Sequence, residues 1–221
     1  LTKRYYALYA NLRRKVLTRL CLENTTVTPS EMLRCTQKLL DRVLFCAFSE
    51  DRGLLPANTL KHAFEHHDPY NPRPTWDNFR GLFRAIDAGN SSLNIPAYNG
   101  GLFAIDSTLD ALQVSDEVCA YFKELGDYDY RPAREVADHE GDSEVRRVVD
   151  VDILGHIFEQ SITDLERLRH DMEASGVPVD DDKAKTRRKQ EGAFYTPAFI
   201  TRYIVEQALG GRSEERRVGK E

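Results

Sequence analysis

Gly192-Ala193-Phe194-Tyr195-Thr196-Pro197 stands at the head of an apolar-striped segment and reads as the start of a cofactor-binding helix. Thr196 is a favoured N-cap. Pro197 suits the first helical position, because the N–H it lacks would be an orphan there. Ile200, Tyr203, Ile204 and Ala208 recur at helical spacing, Arg202, Glu206 and Gln207 fall on the other face, and Gly210 can close the helix. A capped N-terminus offers free N–H groups and partial positive charge to a small anion. With Phe194 and Tyr195 beside it, the chemistry suits an amino-acid carboxylate. Most Thr-Pro helix starts are helix starts and nothing more, so the weight of this reading comes from its surroundings.

Outward from that motif the chain is mostly helical. Tyr5 to Leu22 and Ser30 to Ala47 carry broad apolar faces, with Leu40, Val43, Leu44 and Ala47 at i, i+3, i+4 and i+7. Thr75 can cap a third helix whose seam is Trp76, Phe79, Phe83 and Ile86. Leu154, Ile157, Phe158 and Leu165 stripe a long helix from Val149 to about Met172, with Glu166, Arg167, Arg169 and Asp171 on its outer face. Asn90 to Gly101 is rich in helix breakers and predicts an irregular excursion or a short hairpin. No sustained strand alternation and no internal repeat occurs. The 221 residues, 41% hydrophobic, suffice for one sizeable core. No apolar run approaches the roughly 20 residues of a membrane span, and the expected compartment is the cytoplasm. Cys21, Cys35, Cys46 and Cys119 show no C-x-x-C spacing and read as reduced thiols.

Four blocks carry a family resemblance. Arg187-Arg188-Lys189-Gln190-Glu191-Gly192-Ala193-Phe194-Tyr195-Thr196-Pro197, followed by Ile200 to Glu206, resembles the motif that opens the methyltransferase domain of large adenine-N6 DNA methyltransferases. These include the Eco57I-like, type IIG restriction-modification enzymes and phage-defence methylases. Leu39 to Phe45 with Ser49 to Pro56, Ile95 to Phe103, and Val151 to Gln160 are similar to the helical region that precedes it, in the same order. The resemblance implies a mainly α fold: a helical domain leading into the first helix of a truncated Rossmann-like methyltransferase domain. It implies residues 1–175 as the helical domain, 176–191 as a charged linker and 192–211 as the opening of the methyltransferase domain. It further implies S-adenosylmethionine as cofactor, double-stranded DNA as substrate, and Phe194, Tyr195, Thr196 and Pro197 as cofactor-binding positions.

The catalytic parts of such an enzyme do not occur in the chain. A Gly-containing loop after a strand and an Asn-Pro-Pro-aromatic clamp for a flipped adenine are both missing. Tyr70-Asn71-Pro72-Arg73-Pro74 has Arg where the second proline belongs and reads as a loop. After Gly210-Gly211 the composition turns to Arg212-Ser213-Glu214-Glu215-Arg216-Arg217-Val218-Gly219-Lys220-Glu221, read either as a foreign end on a truncated frame or as a charged native terminus. The net charge of −5 excludes a wholly basic DNA-binding surface. Lys183, Lys185, Arg187, Arg188 and Lys189 form a local basic run behind Asp180-Asp181-Asp182. It is either a DNA-backbone contact or, with greater weight, a solvated hinge. His62 and His66, four apart beside His67 and Asp68, have metal-ligand spacing without a third ligand, so no metal is expected. Asp51-Arg52-Gly53 reads as a helix-ending ion pair and turn, and by the resemblance as a brace against a neighbouring domain. Two functions remain in view: the N-terminal part of a DNA adenine-N6 methyltransferase, inactive as these 221 residues, or a non-catalytic helical adaptor of a defence complex.

Overall fold

Thr28-Pro29 starts the central helix: Thr28 is extended, its hydroxyl accepts the Glu31 amide, and Pro29 opens the first turn. In the computed structural model, which describes residues 2–98, 100–131, 149 and 151–175, the order is α1 (Thr2–Glu23), α2 (Pro29–Asp51), α3 (Thr59–Glu65), α4 (Thr75–Ala88), a 3-10 turn (Ser91–Leu93), α5 (Ser107–Ala111), α6 (Asp116–Tyr121), α7 (Lys123–Gly126) and α8 (Val151–Ser175). Among the described residues the extended pairing consists of one antiparallel bridge, Asn90 to Ile95. The described residues are therefore mainly α, and apart from that turn and bridge the excursion over 90–98 is irregular.

α2 lies at the centre, with α1, α3, α5, α7 and α8 packed around it. Its buried positions, from Met32 and Leu33 through Leu39, Leu40 and Val43 to Cys46 and Ala47, span more than one stripe. That pattern belongs to a helix covered on several sides. Leu12, Val16, Leu17 and Leu20 of α1 join it, as do Leu154, Ile157, Leu168 and Met172 of α8, in one continuous core. Leu165 packs at the edge of that core. The side chains of Phe158 and Asp171 lie outside the described residues.

The α4 seam buries Trp76, Phe79, Phe83 and Ile86. Phe79 meets Phe64 of α3 at 5.0 Å and Phe122 at 5.4 Å, both edge to face, the arrangement ring quadrupoles favour. One detail differs from the expectation. Pro74, not Thr75, occupies the cap position, and the Thr75 amide donates to Asp116 Oδ1 at 2.9 Å. An orphan N–H of the first turn is thus satisfied from α6, so Thr75 need not cap its own helix.

Candidate functional site

Arg42 gathers two of the segments that carry the resemblance. It comes from the buried face of α2, with a side chain 1% exposed. Its Nε donates to the Leu102 carbonyl at 2.8 Å and its Nη2 to the Ala104 carbonyl at 2.9 Å. The guanidinium also lies over the rings of Phe83 and Phe103, at 5.3 and 5.9 Å. Burial lowers its pKa, with Asp110 the nearest compensating charge. Around it, the Phe45 ring meets Tyr98 at 5.4 Å and Phe103 at 5.2 Å. The Tyr98 hydroxyl donates to Leu54 O at 2.7 Å, and its amide donates to Ile86 O at 2.9 Å. The blocks 39–45, 49–56 and 95–103 therefore meet in space at the C-terminal half of α2. Gly101, at φ 75°, supplies the left-handed turn that lets the segment double back.

The end of α2 is a brace. Asp51 Oδ2 accepts the Tyr130 amide at 2.8 Å, and Arg52 Nε donates to the Tyr130 carbonyl at 2.7 Å. Gly53 at φ 67° makes the turn. Both charged side chains of the Asp51-Arg52-Gly53 motif thus reach one residue's backbone, 79 and 78 residues along the chain. Tyr130 is itself buried, its hydroxyl shared with Tyr5 at 2.7 Å and donating to Leu125 O at 2.8 Å.

A second polar cluster ties α1, α2 and α8. The Tyr9 hydroxyl donates to Asp41 Oδ1 at 3.1 Å, and Gln37 Nε2 donates to the same oxygen at 2.8 Å. Arg13 reaches Gln37 Oε1 at 3.3 Å and Asp164 Oδ2 at 3.4 Å, while the Tyr6 hydroxyl also bonds Asp164. Burial pushes the Asp41 carboxyl up and the Arg13 guanidinium down. Gln37 and Asp41 face a groove of about 530 Å³ between α2 and α8, bordered by Arg34, Lys38 and Arg169. Arg34 and Lys38 are held there by Asp106, at 2.7 and 3.0 Å. That double pairing keeps the Asp106 carboxyl well below the usual carboxylate range.

A cavity of about 430 Å³ opens between α3 and α4, with His62 and His66 on its wall. Among the described residues no three His, Cys, Asp or Glu side chains come together to hold a metal ion. Tyr70-Asn71-Pro72-Arg73-Pro74 is a loop, tightened where Asp68 Oδ1 accepts the Tyr70 amide at 3.0 Å and the Asn71 amide at 3.3 Å. The four cysteines are free thiols. Cys35, Cys46 and Cys119 are buried and Cys21 is half-buried, and burial pushes Cys35 up to about 11 and Cys119 to about 12.

Phe194, Tyr195, Thr196, Pro197, Lys183, Lys185, Arg187, Arg188 and Lys189 lie outside the described residues, as do the linker and the Arg212–Glu221 tail. The polar hubs Arg13, Arg42 and Asp164 escape the sequence reading. Their signal is a charge inside an apolar stripe, Arg13 beside Leu12 and Val16, and Arg42 beside Leu39 and Val43.

No family model and no solved structure matches the chain. The chain is 25% identical over 211 aligned residues, 87% of its length, to a protein of Methanocaldococcus jannaschii named as a type II restriction enzyme and methyltransferase. The chain spans 16% of that relative's length. Among the described residues no helix is long and apolar enough to cross a membrane.

Proposed function

We propose that this chain is the helical portion leading into the methyltransferase domain of a cytoplasmic DNA adenine-N6 methyltransferase of the Eco57I-like or phage-defence kind. The observation that carries the reading is the 25% identity across 87% of the chain to a protein named as a type II restriction enzyme and methyltransferase. The meeting of two resemblance blocks at Arg42 and Phe45, with a third tied on through Tyr98 and Leu54, supports it, since those segments form one packed unit rather than scattered coincidences of sequence.

On this reading the first helix of a Rossmann-like domain opens at Thr196-Pro197. Its unsatisfied N–H groups would receive the methionine carboxylate of S-adenosylmethionine, with Phe194 and Tyr195 against the cofactor's apolar surface. The cofactor, when bound, supplies an activated methyl group for the exocyclic amine of adenine. Lys183, Lys185, Arg187, Arg188 and Lys189 would neutralise DNA phosphates beside it. The helical domain's work is positioning: Arg42, Asp51 and Arg52 hold loop backbones in place through half-buried bonds.

The test uses the complete reading frame that carries this chain, incubated with tritium-labelled S-adenosylmethionine and double-stranded DNA. Label is expected on adenine N6, and none is expected from the 221 residues alone. Thr196→Ala should raise KM for the cofactor several-fold with a smaller change in kcat, because a lost cap weakens the anion site by about 1 kcal/mol. Neutralising the five basic residues should flatten the salt dependence of DNA binding by about 0.9 in log–log slope for each phosphate that is no longer neutralised. A complete protein that binds no cofactor and leaves DNA unlabelled overturns the reading in favour of the helical adaptor.

A further inference from the structure

The cavity between α3 and α4 has no part in the reading above, and its construction points to a ligand. It holds about 430 Å³ and is walled by Pro56, Leu82, Ala85, Leu93 and Ile95, within the roughly 300–1,000 Å³ of small-molecule pockets. Three features bear on what it takes. First, Gly81 sits in the interior of α4, where glycine weakens a helix relative to alanine. Among the described residues a Cβ there would meet no atom within 4 Å, so none of them demands glycine, and the backbone at Gly81 faces the cavity without a side chain of its own. Bare backbone serves close approach by something outside the chain. Second, Leu93 stands at the wall 56% exposed, although the 3-10 turn that carries it is fixed by the Asn90 side chain and by Asn94 at φ 53°. The turn presents an apolar side chain to water rather than burying it. Third, His62 and His66, one helical turn apart, belong to the lining. Asn78 fixes their helix by donating to Ala63 O at 3.1 Å and His66 O at 3.0 Å.

The geometry points to a nucleobase-sized heteroaromatic ring as the occupant. Its flat face would lie on the bare backbone at Gly81 and against Leu93, and its polar edge would face the imidazoles of His62 and His66, each of which offers a donor and an acceptor when neutral. An aliphatic ligand would use the apolar walls and leave both imidazoles idle. The loop 66–74, which leaves the cavity at His66 and returns toward Asn78, carries Tyr70 at 96% exposure and the exposed Arg73. An aromatic ring and a guanidinium are the groups that grip a neighbouring nucleotide. This inference rests on the proposed DNA-handling role for its source of bases: a base displaced from a strand, or a free nucleoside.

The experiment is isothermal titration of the full 221-residue chain with adenosine and, separately, with a short single-stranded adenine oligonucleotide. Both should bind. A tighter oligonucleotide identifies the strand as the source, and adenosine of equal affinity identifies the free nucleoside. Gly81→Leu, which fills the cavity, should weaken both at least tenfold while its thermal midpoint stays at or above that of the parent. His62→Ala with His66→Ala should weaken adenosine severalfold at unchanged midpoint. No binding of either probe by the parent chain, or equal binding by a folded Gly81→Leu variant, overturns the assignment. Neither result bears on methylation by the complete protein, and cofactor binding by the Gly81→Leu form of that protein should be unaltered, so the two readings fail separately.

Discussion

Asp41, which lines the groove between α2 and α8, and Asp106, which pairs with the Arg34 and Lys38 at its border, show how environment, rather than residue type, decides a carboxylate's contribution. Asp106 receives Arg34 and Lys38 and caps α5 through the Leu109 amide at 3.1 Å. Its pKa is depressed, first by the Arg34 bonds. The stability it contributes is therefore fully present above the unfolded carboxylate value, about 3.9, and is lost as pH falls through its lower folded value. Asp41 is shifted the other way by burial, so its ionisation opposes folding, and its contribution improves as pH falls through the raised folded value. Urea midpoints should separate the pair. Asp106→Ala is expected to cost about 1 kcal/mol at neutral pH through the lost cap, and the loss should shrink toward about pH 3, below the unfolded carboxylate value. Asp41→Asn, which keeps an acceptor for Tyr9 and Gln37, should equal or exceed the parent at neutral pH; a large loss there would mean that the ionised form is the one the fold requires. Arg42 is a harsher case. Arg42→Ala strands two carbonyls and uncovers the faces of two rings, and roughly 2–4 kcal/mol of stability should go with it in the same titration.

At the scale of elements, legibility follows length. α1, α2, α4 and α8 run for 22, 23, 14 and 25 residues, enough turns for an apolar period to declare itself. α5, α6 and α7, at 5, 6 and 4 residues, complete too few turns to show a stripe, and the starts of α5 and α6 are set by the side-chain caps Asp106 and Ser115 instead. Thr75 misleads because its amide is satisfied by Asp116 from another helix, a partner no local window contains. The polar hubs are hidden for a related reason: Arg13 and Asp164 are 151 residues apart, and an arginine in an apolar stripe looks like a fault in the pattern until its acceptor is placed. The candidate cofactor residues are legible as a motif, but 194–197 lie outside the described residues, so their role rests on the cap chemistry and the family resemblance. Within α4, Phe79 is the element's anchor, fully buried against Phe64 and Phe122. Phe79→Ala should cost about 3–5 kcal/mol, whereas Arg84→Ala, on the exposed side of the same helix, should stay within about 0.5 kcal/mol. Equal losses for the two in urea denaturation would deny the seam its role.

For the whole molecule, the question is whether the chain from α1 to α8 folds as one unit, as the helical domain of residues 1–175 requires. Tyr5 and Leu12 of α1, Leu39 and Val43 of α2, Phe79 of α4 and Ile157 and Met172 of α8 belong to one continuous apolar cluster. The polar ties cross the same boundaries: Arg13 spans α1 to α8, and Asp51 and Arg52 hold the backbone at Tyr130, past α7. No seam among the described residues divides these contacts, and a structure without a seam has no place to open partially at low cost. Trp76 is the single tryptophan, 4% exposed at the start of α4. Its fluorescence reports local packing in the α3–α4 region while far-UV circular dichroism reports helix throughout, dominated by α1, α2 and α8. The two probes should trace one superimposable urea transition, with a single midpoint and slope. Asp164→Ala, at the α1–α8 tie and remote in sequence from Trp76, should lower the midpoint seen by both probes equally. A fluorescence transition that stays in place while the dichroism midpoint falls would split α8 from the rest and remove the one-domain reading.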